Sequence, residues 1–136
     1  MNAGHTADLN LLRRCLRGLP HARLLQSLQE QLDGFSVAAL AADNTGRYVA
    51  ANAKVSEMTG YSRAELFRLR VRDLTPPIQK DEMANRWNNF IQNGSQAGEY
   101  VLQRKDGDTV RVRYTAYASI APGVHLSLLT PIEQAP

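Results

Sequence analysis

Apolar and polar positions follow two different periods along this chain, and the change falls near Phe35. Before it, Leu9, Leu12, Leu16 and Leu19 recur at helical spacing, and so do Leu24, Leu25, Leu28 and Leu32. Pro20 has no amide hydrogen to donate, so it breaks the run between the two sets. Gly34 is placed to close the second helix. Residues 1–8 are polar and are expected to fray.

After Phe35 the pattern becomes that of short strands. Residues 36–42 and 47–51 read as strands around the turn Asp43-Asn44-Thr45-Gly46. Asp and Asn there bond their own backbone, and Gly accepts positive φ. Asn52 is a good helix N-cap and Gly60 a good helix stop. Ser62 and Glu65 have the spacing of a capping box that opens a second short helix. Residues 73–77 form a stiff connector, because Pro76 and Pro77 fix their own φ and restrict the residue before them.

Residues 79–93 read as the longest helix after Phe35, with Met83, Ala84, Trp87, Phe90 and Ile91 along one face. Residues 99–104 and 109–119 form a hairpin around Asp106-Gly107. In the second of these strands Val110, Val112, Tyr114, Ala116 and Ala118 share one face, while Arg111, Arg113, Thr115 and Tyr117 share the other. One buried and one wet face is expected. Residues 124–130 form a last strand in which Val124, Leu126 and Leu128 alternate inward. Two strands, a run of helices and three strands predict an α+β antiparallel sheet with helices on one face.

Composition narrows the function. The chain has 136 residues, 43% of them hydrophobic and 21% charged, which suits one globular domain with a short extension. No apolar run is long enough to span a bilayer. Arg13, Arg14 and Arg17 interrupt the apolar residues near the start, so no signal peptide is read there and a cytoplasmic location is expected. The net charge of +3 is mild. Arginines 63, 68, 70, 72, 104, 111 and 113 read as a solvated rim, and direct nucleic-acid binding is not expected.

Candidate chemistry is sparse. Cys15 stands alone, which rules out an internal disulfide, and it reads as a plain buried thiol. His5, His21 and His125 fall in different elements, so no metal site is expected. His125 alternates with the inward residues of its strand and is expected to face outward. Carboxylates are scattered, and no glycine-rich phosphate loop occurs; an enzyme is not expected.

The ordered segment 43–66, DNTGRYVAANAKVSEMTGYSRAEL, resembles the first half of a PAS domain, the sensory module of bacterial signalling proteins. Residues 100–107, YVLQRKDG, and 110–114, VRVRY, resemble its second half. The resemblance implies the PAS fold over residues 34–133: a five-stranded antiparallel sheet with short helices on one face. Residues 1–33 would be an N-terminal helical extension, for capping or dimerisation. Haem-binding members carry an axial histidine on the long helix, and QKDEMANRWNNFIQN has none. Photosensory flavin members carry an Asn-Cys-Arg motif after the second short helix, where this chain reads LFRLRVRDL. The resemblance therefore implies neither haem nor covalent flavin, and an unidentified small organic ligand remains as the candidate occupant.

The resemblance places a pocket between sheet and helices. Its candidate lining residues are Met58, Tyr61, Leu66, Leu74, Trp87, Asn88, Phe90, Ile91, Tyr100, Leu102, Val112, Tyr114, Leu126 and Leu128. Such a stripe is more often filled core than a ligand cavity; the alanines of 37–42 leave room for a cavity or for close helix packing. PAS domains commonly pair through an N-terminal helix. Leu12, Leu16, Leu24, Leu25, Leu28 and Leu32 are therefore candidates for a homodimer interface. The competing arrangement folds this helix back on its own sheet.

The function expected is a sensory signal-transduction module, of the kind used in two-component and transcriptional regulation. It would bind a small ligand or partner, dimerise, and regulate an output domain in cis or in trans. A ligand-free dimerisation module and a non-covalent flavin redox sensor stand as alternatives.

Overall fold

The computed structural model describes residues 2–132, without the side chains of residues 2–8 and Ile78. The expected domain end at residue 133 and the side chain of His5 lie outside the described residues. Helix α1 runs Asn2–Leu16, so the polar start is helical where fraying was expected. Gly18 takes φ 75° and the chain turns into α2, His21–Asp33, with Pro20 at its N-cap. Strands β1 (Ala38–Asp43) and β2 (Tyr48–Ala51) follow, then α3 (Ala53–Thr59) and α4 (Arg63–Leu66). Two short 3-10 turns, Val71–Leu74 and Pro77–Gln79, lead into α5, Lys80–Asn93. Strands β3 (Ser95–Gln103), β4 (Thr109–Ala121) and β5 (Val124–Pro131) complete the chain.

The local signals form as the sequence predicts. Asp43 Oδ1 accepts hydrogen bonds from Thr45 N, Thr45 Oγ1 and Arg47 N, which shapes the β1–β2 turn. Burial works against the charge of Asp43, but these bonds together hold its carboxyl below the ordinary value. Gly60 ends α3 at φ 81°, in the left-handed region. Ser62 and Glu65 form the reciprocal capping box. Asn52 does more than cap α3. Its Oδ1 accepts from Val55 N and from Ala39 N, and its Nδ2 donates to Leu32 O and Val37 O. One buried side chain thus fastens the end of α2, the start of β1 and the start of α3.

The five strands form one antiparallel sheet in the order β2-β1-β5-β4-β3. Both of its faces are covered over the central strands. Ala38, Leu40 and Ala42 of β1 and Leu129 of β5 look toward α3, α4 and the 3-10 turns. The alternate residues Ala39 and Ala41 of β1 and Val124, Leu126 and Leu128 of β5 look toward α1 and α2. The N-terminal helices fold back on their own sheet. Leu12, Leu16, Leu24, Leu28 and Leu32 are buried there, and Leu25 is partly buried against the same cluster. These leucines are therefore consumed within one chain and are not free to form the expected dimer stripe. Cys15 is exposed, because it falls on the outer side of α1 between Leu12 and Leu16.

Strand β4 departs from strict alternation at its end. Its pairing with β5 shifts register between Tyr117 and Ala121, and Ser119 takes φ 55°. Ala118 packs near α5 as Ala116 does, in step with the alternation, whereas Ile120 changes face and joins the cluster under α1 and α2. The arginine face of β4 is wet at Arg111 and Arg113 but half-covered at Tyr117.

Candidate ligand cavity

Helix α5 crosses the sheet on the face opposite α1 and α2. Met83, Arg86, Trp87 and Phe90 point to the sheet, at i, i+3, i+4 and i+7 of one helical stripe. Beneath them a cavity of about 100 Å³ remains open. Its floor is Leu40 and Ala42 of β1, Leu102 of β3, Ala116 of β4 and Ser127 and Leu129 of β5. Small side chains at Ala42 and Ala116 leave the space that larger residues would fill. Tyr48, Val71, Tyr100, Tyr114, Gln96 and His125 form the rest of the wall.

Polar groups gather in three places. The first is a hydroxyl cluster. Thr75 Oγ1 donates to Val71 O at 3.1 Å, which uses its only hydrogen, so the Tyr100 hydroxyl donates to Thr75. Tyr48 is buried nearby, and burial, with Tyr100 and Asp73 adding to it, raises its phenol above the ordinary value. Burial also raises the phenols of Tyr100 and Tyr114, against the opposing effect of the Arg86 cation. The second place is the β3–β4 wall, where the Tyr114 hydroxyl donates to Gln96 Oε1 at 2.9 Å. Arg86 stands between the two, its guanidinium carbon 5.5 Å from the centre of the Tyr100 ring.

The third is His125. It faces the cavity side and is buried, contrary to the outward position expected from alternation. The alternation itself is present, but the residues opposite it, Leu126 and Leu128, point to α1 and α2. His125 Nδ1 accepts the Ser119 backbone N–H at 2.9 Å. The ring hydrogen is then on Nε2, which donates to Asn44 Oδ1 at 2.7 Å. Desolvation lowers the imidazole's proton affinity, and the Asp43 charge opposes it. The neutral ring packs edge-to-face with Trp87 at 5.6 Å and with Phe90 at 5.9 Å between centroids.

Of the residues expected to line a pocket, the structure brings Trp87, Phe90, Tyr100, Leu102 and Tyr114 together. Leu66, Leu74 and Val112 are instead fully enclosed in the adjoining core, with Met58 and Tyr61 at its margin. Asn88 is exposed, and so is Ile91, because the buried stripe of α5 runs through Met83 and Arg86 and turns them away. Leu128 packs on the other face of the sheet. Leu126 borders the cavity between His125 and Ser127, but it too packs in the cluster under α1 and α2. Arg86, His125, Gln96, Tyr48, Met83 and Ser127 were not foreseen. The helical stripe alone gives Arg86, three residues after Met83 and four before Phe90.

The fold and this sequence can be set beside known proteins. A sequence model described as the PAS domain matches residues 33–128. The chain belongs to the PAS domain family. Among curated proteins, none matches it as a relative. Solved structures that resemble this PAS domain are distant in sequence. A PAS domain from Colwellia psychrerythraea is 18% identical, with a TM-score of 0.67 over 80% of this chain and 97% of that one. A LOV protein of Rhodobacter sphaeroides is 14% identical, with a TM-score of 0.70 over 85% of this chain and 70% of that one. A domain of a sensory box sensor histidine kinase/response regulator from Geobacter sulfurreducens is 20% identical, with a TM-score of 0.63 over 82% and 98%. At these identities the likeness is one of fold. No helix among the described residues is long and apolar enough to cross a membrane, and none of their His, Cys, Asp and Glu side chains form a metal-binding group of three.

Proposed function

We propose that this PAS domain is a sensory module whose signal is a small organic molecule held between α5 and the sheet. The observation that carries this reading is the cavity itself: an apolar, aromatic-walled space with a few fixed polar groups, the usual make-up of a small-molecule site. The names of its structural neighbours, a sensor histidine kinase among them, support a place in signalling. An output domain or protein, in cis or in trans, would read the ligand-bound state.

Strand β5 supplies a physical route for the signal. His125, Ser127 and Leu129 face the cavity, while Val124, Leu126 and Leu128 lie under α1 and α2. A ligand that displaces the first set moves the second set with it. It shifts the N-terminal helices only as far as it prefers one of their arrangements to the other.

Native mass spectrometry of freshly purified protein, beside a denatured control, tests the reading. A mass excess that vanishes on denaturation supports a ligand sensor. A clean mass, together with no change in α1 and α2 hydrogen exchange across a small-molecule screen, overturns it and leaves a ligand-free interaction module.

A further inference from the structure

Among the described residues Arg86 is the one of the cavity wall that carries a formal charge, since His125 is held neutral and no described Asp or Glu lines the space. Its side chain is half-buried. Among the described residues it makes no ion pair, although Glu82 lies one turn before it on α5 at a spacing that allows one. The guanidinium instead lies over the Tyr100 ring. A ring face is not a conventional hydrogen-bond acceptor, so this contact leaves N–H donors of the guanidinium to meet a planar anion. A partly desolvated cation without a counter-charge is costly, and a bound anion would remove that cost.

We infer that the cavity takes a small monocarboxylate with an apolar body, and that the carboxylate pairs with Arg86. The inference rests on the ligand-binding reading above and specifies its chemistry. Size follows from the cavity's volume of about 100 Å³. A dry apolar cavity of about 150 Å³ holds benzene, so the enclosed body is at most one ring or a short alkyl chain, with the polar group outside that space at half-buried Arg86. One cation balances one negative charge. Among the described residues of the wall a second carboxylate would meet no further cation, and an amine would meet no acid.

The test uses benzoate, benzyl alcohol and benzylamine as probes on the full chain. Trp87 is the chain's only tryptophan and lines the cavity, so its indole N–H resonance reports occupancy directly. Benzoate is expected to bind about tenfold or more tighter than benzyl alcohol, the gain of a charge-assisted bond, with benzylamine weakest. Arg86→Met should erase the preference and leave benzyl alcohol within about twofold of its original affinity, since the change removes a charge and not the apolar wall. Arg86→Lys keeps the charge without the fork and should fall between, which guards against a folding defect in the first variant. Equal binding of benzoate and benzyl alcohol, or a benzoate preference that survives in Arg86→Met, overturns the carboxylate inference while leaving a ligand cavity in place. Silence of Trp87 toward all three probes also overturns it; the sensory reading is then decided separately by the native mass spectrum.

Discussion

His125 holds the backbone N–H of Ser119 at 2.9 Å, and Ser119 is the non-glycine residue with positive φ among those described. A neutral imidazole therefore fixes the irregular end of β4 beside the cavity. A protonated one would present a hydrogen to that same N–H. The folded state thus favours neutral His125, mainly through desolvation, and its proton affinity lies below the ordinary value of 6.5. Unfolded chains bind the proton more readily, so this contribution to stability is complete above pH 6.5 and is lost as pH falls below it toward the folded-state value. The thermal midpoint should drop over that window, and His125→Phe should remove that component of the drop. The variant should also be less stable at neutral pH by about 1 kcal/mol, the net worth of the lost bond, since Ser119 is exposed and water can reach its N–H.

Asn52 is expected to be costly to replace. Asn52→Ala removes the α3 cap and leaves Ala39 N–H, Leu32 O and Val37 O without their partner. A loss of about 3 kcal/mol in urea unfolding is expected, more than a surface cap alone is worth. A loss below about 1 kcal/mol would show that water replaces those bonds readily.

The leucines of α1 and α2 should report on folding, not on association. Leu28 is fully buried, and Leu28→Ala should cost about 2–5 kcal/mol with no change in sedimentation behaviour. A change in oligomeric state at preserved stability would restore the dimer stripe that the fold argues against.

Glu65 joins two devices at the surface. It completes the capping box with Ser62 and pairs with Lys105 Nζ at 2.6 Å. The Lys105 hydrogen bond, with the Ser62 backbone next, lowers its carboxyl to about 2. This contribution is present above pH 4.5 and is lost as pH falls through the folded value. Solvent screening keeps its effect on stability small. Lys105→Met should move the Glu65 titration, followed by carboxyl NMR, back toward the ordinary range; an unmoved titration would assign the depression to Ser62.

What was legible in the sequence was local. Asn52, Gly60, Ser62 with Glu65 and the turn at Asp43 each act on neighbours a few residues away, so their spacing carries the whole signal. The face assignments of β5 were not legible. Alternation separates His125 and Ser127 from Leu126 and Leu128, but both faces of that strand are covered, and period two does not say by what. His125 reads as solvent-facing because its partner Asn44 lies 81 residues away. Arg86 lies on the stripe of Met83 and Phe90, but hydrophobicity gives a charged residue no place there, whereas here its side chain forms part of the wall. Cys15 was misplaced because hydrophobicity alone does not tell the buried stripe of α1 from its outer side.

The Gln29 side chain behaves toward β2 as a strand of one residue. Its amide donates to Ala51 O at 2.7 Å and accepts from Ala51 N at 3.0 Å. Further along the same strand Tyr48 N bonds Leu69 O, and Val71 N bonds Gly46 O. The β2 rim is thereby covered, whereas among the described residues no strand lies beyond β3, where Ala97, Gly98 and Glu99 are exposed. The described residues of each copy leave one rim to an incoming strand. Strand addition at that rim would therefore stop at a pair, since the joined sheet presents two covered β2 rims.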